Sequence, residues 1–94
     1  MQIPLNQFEQ YIDDIILQRG LSYFREGCVT QFDEIAKGEF EAIVEGTEEY
    51  AVHLEVENNT MTEYSCTCPY EYGPVCKHIA AVLFYMSCNI GRND

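Results

Sequence analysis

Positive charge is scarce in this chain. Only 5 Lys and Arg stand against 16 Asp and Glu in 94 residues, a formal net charge of -11. The basic residues Arg19, Arg25, Lys37, Lys77 and Arg92 are scattered, so no cluster matches a phosphate backbone, and an acidic surface repels one. Long hydrophobic runs are missing too. The strongest, Ile79 to Met86, falls far short of the roughly 20 residues a membrane-spanning helix needs. The N-terminus lacks the basic, apolar and small-residue order of a secretion signal, and the expected location is the cytosol. There is no Gly-x4-Gly-Lys-Ser/Thr loop, which excludes nucleotide hydrolysis of the P-loop kind. No repeat, low-complexity tract or linker divides the sequence. With 47% apolar and 22% charged residues it has ordinary globular composition. The expectation is one domain over residues 1–94, small enough to benefit from a metal or covalent staple.

Cysteine usage points to the staple. Five cysteines are an odd number for a disulfide framework, and three of them share a short window with a histidine: Cys66-x-Cys68-x7-Cys76-x-His78. Zinc takes four tetrahedral ligands from thiolate and imidazole, and a site filled by four protein ligands leaves no position for water or substrate. The set therefore reads as one structural Zn2+ with Cys66, Cys68, Cys76 and His78 as ligands. Residues two apart point to opposite faces of a strand and about 200° apart on a helix, so both pairs must sit where the chain bends. Pro69 and Gly73-Pro74 break regular structure between them, and the apolar run from Ile79 puts Cys76 and His78 at the mouth of a final helix. The partial positive charge of a helix N-terminus, with Lys77 beside it, suits a site carrying three thiolates. Three thiolates and one zinc change the formal charge from -11 to -11 - 3 + 2 = -12. Cys28 and Cys88 read as small buried hydrophobes, and His53 as a surface residue.

The remaining pattern is α+β. Leu5, Phe8, Ile12, Ile15 and Ile16 recur at helical intervals, predicting an amphipathic helix from Pro4 to Arg19 stopped by Gly20. Leu21, Tyr23 and Phe24 predict a short second helix or turn. A first strand is expected over 28–35, then a Lys37-Gly38 turn. Phe40, Ala42 and Val44, then Tyr50, Val52, Leu54 and Val56, alternate with polar residues as half-buried strands do. Asn58-Asn59 predicts a tight turn into a strand over 61–65. The expected fold is one or more N-terminal helices, an antiparallel four-stranded meander, and a zinc-stapled helix from Lys77 to Asn89. That helix carries an apolar stripe of Ile79, Val82, Leu83, Met86 and Ile90, and a second arc of Phe84, Tyr85 and Cys88. Leftover apolar area marks docking surfaces, unless the N-terminal helix covers it through Phe8 and Ile12.

Cys66-Thr67-Cys68-Pro69-Tyr70, Gly73 and Cys76-Lys77-His78-Ile79-Ala80-Ala81-Val82-Leu83 resemble the SWIM zinc finger, C-x-C followed by C-x-H. Upstream, Arg19-Gly20, Tyr23-Phe24, Gly27-Cys28-Val29, Ala42-x-Val44-x-Gly46 and Tyr50-x-Val52 resemble the segment before the finger in bacterial members. The resemblance implies a finger proper over about 64–90, with the same four ligands. It also implies association with Swi/Snf-type helicases and a DNA- or protein-binding role. Combined with the acidic composition, the expectation is a non-catalytic module for protein-protein or intramolecular contacts, as the N-terminal part of a larger Swi/Snf-type protein. Direct DNA binding is the alternative. A thiol redox role for Cys66 and Cys68 is a third class.

Overall fold

Alternation of apolar and polar residues builds the sheet. The computed structural model describes residues 2–46, 48–68 and 75–90, with the side chains of 88–90 excepted. The expectations placed on Pro69, Gly73, Pro74 and the side chains of Cys88 and Ile90 fall outside that set. Strands β1 (Ile3–Pro4), β2 (Val29–Ala36), β3 (Glu39–Glu45), β4 (Glu49–Glu57) and β5 (Thr60–Cys66) form one antiparallel sheet in the order β1-β5-β4-β3-β2. The sheet has five strands rather than the four expected. Two residues cannot display a period of two, which is why β1 is not legible in the pattern. It is held by Ile3, fully buried opposite Met61, and by the Leu5 N–H donating to the Asn59 carbonyl at 2.9 Å. Pro4, without an N–H, fits an edge strand. The turn into β5 is as expected, with Asn58 and Asn59 at φ 55° and 61°.

The N-terminal helix departs from its expected span. Helix α1 runs Asp14–Arg25, ten residues later at its start than the pattern placed it. Leu5, Phe8 and Ile12 belong instead to a segment with a single 3-10 turn at Phe8–Gln10, where Phe8 and Ile12 reach the core without a continuous helix. Asp13 sets the start, its carboxylate accepting from the Ile15 N–H at 3.1 Å, as an N-cap should. Ile15, expected in the apolar stripe, is 64% exposed. The stop is Gly27 at φ 76°, not Gly20. The Gly27 N–H donates to the Phe24 carbonyl and that of Cys28 to Tyr23, the Schellman arrangement. Gly20 lies inside the helix, buried, because a Cβ there would fall 2.5 Å from the Ala80 Cβ.

Helix α2 (Lys77–Ile90) packs on α1 and on one face of the sheet. Ile79, Val82, Leu83 and Met86 join Ala42, Val44, Val52, Leu54 and Met61 in the core. The second arc of α2 is covered from within. Phe84 meets Phe8 edge-on with centroids 5.1 Å apart and stacks near Phe24. Tyr85 contacts Phe24 and Phe32. The expectation that Phe84 and Tyr85 form a docking face is therefore corrected: these rings are half-buried in an aromatic cluster, supplied by the 3-10 turn, α1 and β2. Among the described residues no helix is long and apolar enough to cross a membrane.

Candidate metal centre

Cys66 is the last residue of β5, and Thr67 and Cys68 bend away from it. Thr67 pins that bend to the neighbouring strand. Its N–H donates to the Ala51 carbonyl at 3.1 Å, and its Oγ1 accepts from the Ala51 N–H at 3.0 Å. The second pair straddles the start of α2: Cys76 precedes the helix and accepts the first backbone bond from Ala80, while His78 lies in the first turn. Both pairs thus occur where regular structure begins or ends. The sheet end and the helix mouth face each other, and the donor atoms of Cys66, Cys68, Cys76 and His78 all lie within 4.8 Å of one another. Cys28 stands apart from this group and packs against the core.

His78 is 3% exposed and is held by two rings. Tyr50 stacks on it at 4.2 Å with 25° between planes, and Tyr23 meets it edge-on at 5.4 Å. This clamp aims Nδ1 at the sulfurs, 3.7 Å from Cys66 Sγ and 3.8 Å from Cys76 Sγ. Nε2 is buried with no hydrogen-bond partner among the described residues. A tetrahedral ion bonded to sulfur at about 2.3 Å and nitrogen at about 2.0 Å holds those atoms roughly 3.5 Å apart. The observed separations fit that geometry with small closure. Lys77 lies over the other side of the clamp, its Nζ 5.2 Å from the Tyr23 ring centroid.

Proton affinities within the cluster follow from its contacts. A hydrogen bond with Cys66, helped by His78 and the Ile79 backbone, lowers the Cys76 thiol to about 4 against the opposing effect of burial. The same bond, followed by burial, pushes Cys66 upward. The downward direction at Cys76, the residue just before the helix N-terminus, favours its thiolate. A thiolate is the form that binds zinc.

The SWIM zinc-finger family model matches residues 50–86. The matched stretch begins at Tyr50, the ring stacked on His78, and takes in most of β4, all of β5 and most of α2. No curated protein and no solved structure matches the chain. Together with the cluster, the SWIM match identifies one structural zinc as the cofactor. Held by Cys66, Cys68, Cys76 and His78, such an ion would cross-link the sheet to α2, and four protein ligands would leave no position for water or substrate. Tyr23, Tyr50 and Thr67 are the site residues that spacing alone did not assign. Tyr23 and Tyr50 were read as apolar positions of a helix or turn and of a strand, and as parts of the Tyr23-Phe24 and Tyr50-x-Val52 resemblance, but not as partners of His78; Thr67 was visible only as the middle of C-x-C.

Proposed function

We propose that this chain is a non-catalytic interaction module in which Cys66, Cys68, Cys76 and His78 ligate one zinc ion. In this reading the open face of the sheet docks on a basic surface of a protein partner or adjoining domain. The observation that carries it is the charge of that face. The helices cover one side of the sheet, and the other presents Asp33 opposite Glu41, Glu39 opposite Glu55, Glu55 opposite Glu63, and Glu45 opposite Glu49. Among the described residues, none of the five strands contains Lys or Arg. Like charges directly opposite one another are destabilising by about 0.2–1 kcal/mol per pair, and four such pairs are relieved when a basic surface covers them. The same field repels nucleic acid, which is why protein docking is preferred to DNA binding.

The reading treats residues 1–94 as one domain with a finger proper over 64–90. The Swi/Snf helicase context comes from the resemblance, and a cytosolic setting agrees with thiols used for metal rather than disulfides. Fluorescence anisotropy with two probes, a Lys/Arg-rich 20-residue peptide and a duplex oligonucleotide, tests the assignment at low salt. The peptide is expected to bind with an affinity that falls as salt rises, and to lose binding when Asp33 and Glu41 are both changed to Lys. Binding of the duplex in preference to the peptide overturns the reading, as does peptide affinity unaffected by the charge reversal.

A further inference from the structure

Glu39 on β3 lies directly opposite Glu55 on β4, and His53, two residues earlier on β4, projects from the same open face. His53 Nε2 is 3.0 Å from Glu39 Oε2, and the ligand atoms of Glu39, His53 and Glu55 lie within 4.8 Å of one another. Glu39 and His53 are half-buried, with side chains 39% and 31% exposed. An imidazole and two carboxylates from adjacent strands therefore converge on one point. A hydrogen bond from His53 satisfies one oxygen of Glu39 and leaves the carboxylate of Glu55 facing another of the same sign.

We propose that Glu39, His53 and Glu55 form a second metal site, for a first-row divalent transition cation. Two carboxylates balance the charge of such an ion, and an imidazole ligand favours zinc, cobalt or nickel over magnesium or calcium. Ligands at about 2.0–2.2 Å from one ion stand roughly 3.0–3.5 Å apart. The His53–Glu39 separation already meets this, and rotation of the exposed Glu55 side chain closes the remainder. Glu41, opposite His53, and Glu63, opposite Glu55, supply outer carboxylates that accept hydrogen bonds from water on the ion. The site is separate from the cysteine cluster. Cys66 pairs with Val52 and His53 with Ser65, so the two sites occupy opposite faces of the sheet, one sulfur-rich and buried, the other oxygen-rich and solvent-facing. Occupancy lowers the negative charge of the open face by two.

The test uses the full chain loaded with one equivalent of zinc and titrated with Co2+ at neutral pH, followed by calorimetry, absorbance and NMR of the His53 ring. The expected result is one further equivalent that perturbs the His53 ring without the sulfur-to-cobalt charge-transfer bands that exchange into the cysteine site would produce. His53→Ala and Glu55→Gln should each weaken this second equivalent by at least about tenfold, the scale on which even outer partners of metal ligands act, with thermal melts confirming that both variants fold. No second equivalent at about 1 mM free cobalt, or a second equivalent indifferent to both substitutions, overturns the proposal.

Discussion

Replacing Phe84 with Ala separates a core aromatic from a docking surface. The ring packs edge-on against Phe8 at 5.1 Å and near-parallel to Phe24 at 6.5 Å, and it is half-buried. Truncating a fully buried phenylalanine costs about 3–5 kcal/mol, and an edge-to-face pair contributes about 0.5–1.5 kcal/mol beyond area burial. At half burial with one such pair lost, the expected destabilisation is about 2–3 kcal/mol. For a chain of 94 residues, each kcal/mol moves the midpoint about 4–8 °C, so the variant should melt about 10–20 °C lower than the parent. Because the ring lies away from the cysteine cluster, the metal should remain at one equivalent. Circular dichroism melts with parallel metal analysis measure both. A melt within 2–3 °C, on that same scale, would refute the aromatic cluster as core and restore this arc as a surface awaiting a partner.

Three further outcomes follow from particular contacts. Gly20→Ala gains about 1 kcal/mol of helix propensity, yet its Cβ would lie 2.5 Å from the Ala80 Cβ. Overpacking at about 1–3 kcal/mol should win, and a urea midpoint that rises would contradict the close α1–α2 approach. Thr67→Ala removes the side-chain acceptor of the Ala51 N–H and should lower stability by about 0.5–1.5 kcal/mol with zinc still bound at neutral pH; unchanged denaturation curves would show that the bend needs no pin. Zinc binding requires deprotonated ligands and releases protons, so affinity must fall as pH falls. Protons compete with the ion for His78 and the thiolates, so metal should dissociate as pH approaches about 5, and full retention at equilibrium at about pH 4.5 would rule out ligand protonation as the control of release.

The Cys/His cluster was legible because zinc chemistry is written in spacing: Cys66, Cys68, Cys76 and His78 cannot converge inside regular structure, and they gather where β5 ends and α2 begins. Strands β3 and β4 were equally legible, since a sheet with one covered face imposes a strict period of two. The N-terminal region misled for the complementary reason. Leu5, Phe8 and Ile12 recur at helical intervals, but Asp13 caps a helix that starts only afterwards, and tertiary contacts, not period, bring those residues to the core. Gly20 looked like a stop because its value lies in the absence of a Cβ facing Ala80, a neighbour sixty residues away in sequence. The Tyr50 and Tyr23 clamp on His78 has no local signal either, because it joins β4, α1 and α2 only once they are folded together.

In the proposed function one zinc ion, held by Cys66, Cys68, Cys76 and His78, staples the sheet to α2. Structural zinc contributes about 10–16 kcal/mol apparent in small peptides, as much as the whole net stability of a domain, about 5–15 kcal/mol. The direct measurement is the metal content of the purified chain, followed by circular dichroism and hydrogen exchange before and after removal of the metal with a chelator. The account predicts one equivalent of zinc, loss of the α2 helical signal on removal, and loss of amide protection across residues 66–90, all restored by adding zinc back and none restored in Cys76→Ala. An unchanged melt and unchanged protection after confirmed removal of the metal would contradict it.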